Sequence, residues 1–144
     1  MRVSSYFITA SVLLTIAACG SPQLPSFIDS GKITRADLTC LGKTATTDQS
    51  KDNLNELLNL LHLGDLTPGA RTTGAPPDSP VCTVHLFEQE VPSFQVLIPA
   101  GAQTQEVYLR NETGPTNTGT YPLPMPIRAA ELQGFVTKYT HGRK

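Results

Sequence analysis

The 144-residue chain has no tryptophan and only five phenylalanines and four tyrosines. That scarcity argues against a wide aromatic platform, the kind that stacks on sugars or anchors a large apolar interface. Charge is sparse as well: 16% of residues are charged, 11 basic against 12 acidic, with no basic cluster. A near-neutral chain without a basic stripe lacks the footprint of a nucleic-acid binder and of a protein held electrostatically on lipid headgroups. Catalytic punctuation is also missing. No GxSxG elbow, P-loop or GxGxxG occurs, and neither CxxC nor HxxxH spacing is present.

What is present begins at the N-terminus. Met1-Arg2 gives a positive start, an apolar run follows from Phe7 to Ala18, and small residues close it. A membrane-spanning helix needs roughly 20 apolar residues, so this shorter run reads as a secretion signal. It stops at a cysteine. Ile16-Ala17-Ala18-Cys19 has an aliphatic residue, two small residues and then Cys. The stretch resembles the lipobox of bacterial lipoproteins. The resemblance covers the leader alone and carries no fold for the rest of the chain. It implies that Cys19 receives a diacylglycerol, that residues 1–18 are cut away, and that the new amino group is acylated. The chemistry suits the residues: small Ala17 and Ala18 admit a peptidase to the backbone, and the thiol sits at the bilayer surface. Several acyl chains hold a protein firmly, since each buried methylene contributes about 0.8 kcal/mol and one chain alone is marginal. Gly20-Ser21 does not resemble the Asp-type signal that retains lipoproteins in the inner membrane. The expected address is therefore the bacterial cell envelope, at the periplasmic face of an outer membrane rather than the inner one.

Three segments follow from this: signal peptide 1–18, lipidated tether 19–31, and one globular envelope domain 32–144. Without residues 1–18 the chain keeps 126 residues, enough for one ordinary domain. Loss of Arg2 leaves 10 basic and 12 acidic residues, a net charge of −2. With Cys19 lipidated, Cys40 and Cys82 remain as an even pair in an oxidising compartment. A disulfide between them closes a loop of about 40 residues and contributes roughly 2–4 kcal/mol. Two free thiols, or a metal site joined by His62 and His85, rank behind it. No metal or other cofactor is expected.

The tether "GSPQLPSFIDSG" is rich in Pro, Ser and Gly, with Phe27 and Ile28 able to dock on the domain. "KITRADLTCLGK" reads equally as a short strand or a helical turn. In Thr46–Gly64 the residues Leu54, Leu57, Leu58 and Leu61 fall at i, i+3, i+4 and i+7, the stripe of an amphipathic helix. Thr47, Asp48 and Ser50 are its candidate N-caps, and Gly64 its C-terminal left-handed residue. Leu60 and Leu63 widen the apolar face, while Asn53, Asn55, Glu56 and Asn59 form the polar one and His62 suits the dipole in solvent. Loop 67–80 breaks regular structure.

From Val81 the period changes to two. "VCTVHLFE", "SFQVLIP" and "TQEVYLR" alternate, and "PAGAQ" supplies a hairpin turn, so Val81–Arg110 reads as a three-stranded antiparallel meander. Cys82 lies on its apolar face. Loop 111–126 is a second Gly/Thr/Pro segment. Ile127–Leu132 reads as a helical turn, and Phe135, Thr137 and Tyr139 as a last strand. The fold class is α+β: an antiparallel sheet of three to five strands, one amphipathic helix packed on it, and long Pro/Gly loops.

No catalytic residue emerges. Cys82 and His85 are an odd number of strand positions apart and point to opposite faces. The outward face of the meander is more informative. His85, Phe87, Gln95, Leu97, Tyr108 and Arg110 share one side of the sheet, an aromatic-polar interaction surface unless a second layer covers it. The leading functional expectation is a non-catalytic envelope lipoprotein, an accessory or assembly factor that binds another envelope protein. A ligand-binding or inhibitor module using loops 67–80 and 111–126 comes second, and a small hydrolase third.

Overall fold

The computed structural model describes residues 27–48, 52–66 and 74–140. Strand β1, Arg35–Cys40, alternates strictly: Ala36, Leu38 and Cys40 are buried, while Arg35, Asp37 and Thr39 are half-exposed. Period two therefore decides the stretch that sequence left open between strand and helical turn. Leu41 and Gly42 both take positive φ, 50° and 77°, as a type I′ hairpin requires. They return the chain into β2, Lys43–Asp48.

The leucine stripe does form a helix, α1, but it runs only from Asp52 to Leu61. The expected span from Thr46 was too long because Thr46, Thr47 and Asp48 belong to β2. Thr47 and Asp48 are thus not caps, and Ser50 lies outside the described residues. Leu54, Leu57 and Leu61 are buried. Asn53, expected on the polar face, is buried too at 5% exposure. The left-handed residue that ends the helix is His62, φ 51°, rather than Gly64, and a 3₁₀ turn, Leu63–Asp65, follows.

The meander appears where its alternation predicts: β3 is Cys82–Glu88, β4 Val91–Ile98 and β5 Gln103–Asn111. Gly101, with φ 146°, lies in the β4–β5 turn. Half of the expected loop 111–126 is instead a strand, β6, Gly119–Arg128. Pro122, Pro124 and Pro126 hide it from a propensity argument, yet an edge strand tolerates proline. The sheet has six strands rather than three to five, in the order β2-β1-β3-β4-β5-β6, every neighbour antiparallel.

The expected last strand is a helix, α2, Ala129–Thr140. Ala129, Leu132, Phe135 and Val136 are its buried residues, a spacing of three and four that the short Phe135–Tyr139 alternation masked. Helix α2 starts beside β5, where the Ala129 amide donates to the Ala102 carbonyl at 3.0 Å. It ends at the far edge, where Thr140 Oγ1 donates to the Thr44 carbonyl at 3.4 Å. One face of the sheet is thereby covered by α1 and α2. Its core residues, among them Leu38, Val84, Val96 and Leu109, pack in one cluster with Leu57, Leu61, Leu132 and Phe135. Ala45 and Thr47, both fully buried, are the small side chains of β2 where α2 lies closest to the sheet.

Cys40 and Cys82 are joined by a disulfide, as their pairing in an oxidised chain requires. They stand opposite each other in the β1–β3 ladder with Cα atoms 4.3 Å apart, the spacing of a non-hydrogen-bonded antiparallel pair. Ahead of β1, Ile28 is buried, and the Phe27 ring lies 5.1 Å from that of Tyr121 and 6.2 Å from that of Phe94. The N-terminal stretch thus docks on the helix-bearing face before the first strand begins.

Candidate functional site

The opposite face of the sheet is where the six sequence-selected residues fall, and the ladder brings them together. His85 pairs in register with Gln95, Gln95 with Arg110, and Leu97 with Tyr108. Strand pleating puts each on the side away from the helices, because Val84, Leu86, Val96, Val107 and Leu109 point into the core. Arg110 Nη1 donates to Gln95 Oε1 at 3.0 Å, which turns the Gln95 amide nitrogen toward His85 Nε2, 3.5 Å away. Arg110 thereby fixes which end of Gln95 faces the imidazole.

Strand β1, which sequence did not resolve, extends the row. Asp37 stands in register with His85, and Arg35 with Phe87. The Arg35 guanidinium lies 3.9 Å over the Phe87 ring centre, a cation–π arrangement. Arg35 also pairs with Glu90 and, at 3.7 Å, with Asp37. Two buried atoms in this group, Arg35 Nε and Asp37 Oδ1, have no hydrogen-bond partner. The missed signal was the alternation in "RADLTC" itself, which places Arg35 and Asp37 opposite the apolar set. A register shift between Leu86 and Phe87 marks a bulge at this end of β3, where Ser93 Oγ donates to the Leu86 carbonyl at 3.1 Å.

The face is not uniform. Leu97 and Tyr108 are only 7% and 8% exposed, so they do not contribute to the open aromatic-polar surface expected of them. Thr120, in register with Tyr108, is met by Gly74: a Cβ built on Gly74 would stand 2.4 Å from Thr120 Oγ1. The segment ahead of β3 therefore closes on this end of the face. His85, Phe87 and Gln95 remain half-exposed and Arg110 exposed. The open part of the face is a polar, hydrogen-bonding row from Asp37 to Arg110, bordered by the Arg35–Phe87 stack.

The row can donate and accept hydrogen bonds and present one stacked cation. Cys40 and Cys82 are bonded to each other, so neither offers a thiol to His85. Among the described residues no three His, Cys, Asp or Glu side chains gather as a metal site. Asn111 Oδ1 accepts from the Thr113 amide and hydroxyl, and its Nδ2 donates to the Thr116 carbonyl. These bonds make the turn from β5 to β6 a tied loop. On the other side of the molecule, a cleft of about 320 Å³ separates Ser30 and Gly31 from Asn59, His62 and Asp65. His62 is thus half-buried at a cleft wall rather than freely solvated.

One cluster has shifted ionisation. Glu56 of α1 accepts from the Tyr139 hydroxyl and from Lys138 Nζ of α2. The Tyr139 hydrogen bond, reinforced by Lys138, holds the Glu56 carboxyl below its ordinary value, and hydrogen bonding to Tyr139 and then to Glu56 raises Lys138. The cluster clasps the two helices and lies apart from the polar row.

Cys19 and residues 67–73 lie outside the described residues. No family model matches the chain, and neither a curated protein nor a solved structure is similar to it.

Proposed function

We propose that the chain is a membrane-anchored envelope lipoprotein, non-catalytic, serving as an accessory or assembly factor that binds another envelope protein. The observation that carries this reading is the sequence Ile16-Ala17-Ala18-Cys19 at the end of the apolar leader. Two structural facts accord with it. The other two cysteines are bonded to each other, as an oxidising compartment favours, which leaves Cys19 for lipid. Phe27, the first described residue, lies eight residues beyond Cys19, so chain length alone limits their separation to about 28 Å and keeps the domain close to its bilayer. No helix among the described residues is long and apolar enough to cross a membrane. The polar row from Asp37 to Arg110 is the surface proposed to meet the protein partner.

Mass spectrometry of the N-terminal peptide from membrane fractions tests the anchor. A diacylated or triacylated Cys19 is expected at the N-terminus, and Cys19→Ala should release the chain from membranes. An unmodified Cys19 in the mature protein would overturn the assignment. A photo-crosslinker at Gln95 tests the partner: it should capture one envelope protein in cells, and capture of none would remove the accessory role.

A second reading, a ligand-binding or inhibitor module, draws on one observation. The segment after residue 73 touches β6 at Thr120, so the two Pro/Gly segments meet at one end of the sheet. A thermal shift with envelope extracts distinguishes it, since a ligand bound only by the native state raises its stability.

A further inference from the structure

We propose that the proline-bearing arch of β6, Pro122–Pro126, docks at the surface of the same bilayer that holds Cys19. The inference rests on the anchor reading above and adds which part of the domain meets lipid. It starts from the ladder. Pro122 pairs with Glu106 and Ile127 with Thr104, so β6 takes five steps where β5 takes two. The surplus residues bow out from the sheet edge as an extended bulge. Leu123 turns back against the core, and Met125 stands 58% exposed between Pro124 and Pro126. Proline fixes its own φ and holds the residue before it extended. Leu123 and Met125 each precede a proline, so the arch is stiff and offers Met125 with little ordering left to lose.

Its chemistry suits lipid. No charged residue occurs between Glu112 and Arg128. Of the other large apolar side chains described as exposed, Leu41 lies two residues from Lys43 and Val91 adjoins Glu90. Unpaired backbone N–H groups are costly at acyl depth, and Pro122, Pro124 and Pro126 have none to bury. Glu106, opposite Pro122, belongs to the outer sheet face because Val107 points into the core. Arg128, exposed beside the arch, suits lipid phosphates at headgroup level. The tether brings this edge to the membrane. The Phe27 ring packs 5.1 Å from that of Tyr121, the residue before Pro122. Met125 is four residues further, at most about 14 Å along the strand. The β2 edge lies five strand spacings from β6, roughly 24 Å. With Phe27 tied within about 28 Å of Cys19, the β6 edge is the one held down. The sheet then stands on that edge, and the polar row faces sideways, open to a protein partner.

The test uses the mature chain purified from membranes and reconstituted in vesicles of phosphatidylethanolamine and phosphatidylglycerol. The sequence has no tryptophan, so Met125→Trp and Leu41→Trp each carry a single indole. Leu41, 71% exposed, lies in the turn at the opposite edge. With brominated acyl chains the Met125→Trp indole should be quenched at least about threefold more than the Leu41→Trp indole, because bromine acts at the acyl boundary where interfacial apolar groups sit. Leu41→Met keeps Met125 itself as the reporter. In the same vesicles peroxymonosulfate, a charged oxidant confined to water, should oxidise the introduced thioether severalfold faster than that of Met125. Mass spectrometry of Cys19 in the same sample separates the two possible failures. Lipid on Cys19 with equal quenching, or with equal oxidation, overturns the docking and leaves the anchor standing. An unlipidated Cys19 overturns the anchor and the docking with it. Protection of Met125 in native membranes but not in vesicles assigns the arch to a protein partner and also overturns the docking.

Discussion

The two edges of the sheet are built in opposite ways. At one edge, β6 carries Pro122, Pro124 and Pro126 at alternate positions, and its register with β5 slips between Thr104 and Glu106. Thr120 and Pro122 face outward, since Gly119 and Tyr121 take the ladder positions toward β5, so the N–H missing from Pro122 is one that would otherwise be exposed. Prolines and bulges are common ways to blunt an edge. At the other edge, β2 is short, regular and proline-free. Its reinforcement lies behind it: the disulfide on β1, the Thr47 hydroxyl bonded to Ala36, and the end of α2. One edge is closed by its own backbone chemistry. The other is regular and held from behind by side chains and a disulfide.

The largest expected effect comes from removing that reinforcement. The double change Cys40→Ala with Cys82→Ala should cost roughly 2–5 kcal/mol, read as a lower urea midpoint. Hydrogen exchange should accelerate first in β1 and β2, while β5 and β6 keep most of their protection. Equal loss at both edges would break the contrast, because the disulfide would then support the whole sheet rather than one side.

Next comes Thr47→Val. Thr47 is fully buried, accepts from the Ala36 amide at 3.2 Å and donates to the Ala36 carbonyl at 3.0 Å. Valine keeps the volume and removes both bonds. A buried hydrogen bond lost with its partners left behind costs about 1–3 kcal/mol, measurable by thermal unfolding. A change within a few tenths would mean that the ladder holds β2 without its side chain.

How far sequence could reach follows the same division. The meander was legible because its strands alternate cleanly, and the six outer-face residues follow from that alternation alone. The β1–β2 hairpin was not. "KTATTD" has no strongly apolar residue beyond Ala45, so its buried face consists of one alanine and one threonine, and no hydrophobicity pattern marks it. Strand β6 was hidden by prolines, whose tolerance depends on an edge position that only tertiary structure assigns. Helix α2 was misread because five residues of alternation near Phe135 fit a strand and a helix face alike. The Arg35–Asp37 half of the polar row was lost with β1, since a site spread over neighbouring strands is visible only when all of them are.

The proline edge gives a smaller effect on stability and a larger one on association. Replacing Pro122, Pro124 and Pro126 together by Thr should shift stability by about 0.5 kcal/mol or less per exposed site, because their side chains are exposed. It restores outward donors, so the variant should associate more than the parent in light scattering, through β6. A triple variant that behaves as the parent would show that the bulge alone keeps this edge closed.

The smallest effect is electrostatic and belongs to the β2 side, where α2 ends. The Tyr139 hydroxyl, with Lys138, holds the Glu56 carboxyl below its ordinary value in the folded chain. A depressed carboxylate contributes stability that is fully present above its unfolded value, about 4.3, and is lost as pH falls through the lower folded value. The Glu56 side chain is 39% exposed, so solvent screens the pair and the contribution stays small. Glu56→Gln should therefore lower stability slightly at neutral pH and converge with the parent in acid. Urea unfolding at pH 7 and pH 3 measures this. Curves that stay parallel across that range would mean that the clasp between α1 and α2 rests on packing of Tyr139 against Phe135, whose ring centres lie 4.6 Å apart, and not on the charge of Glu56.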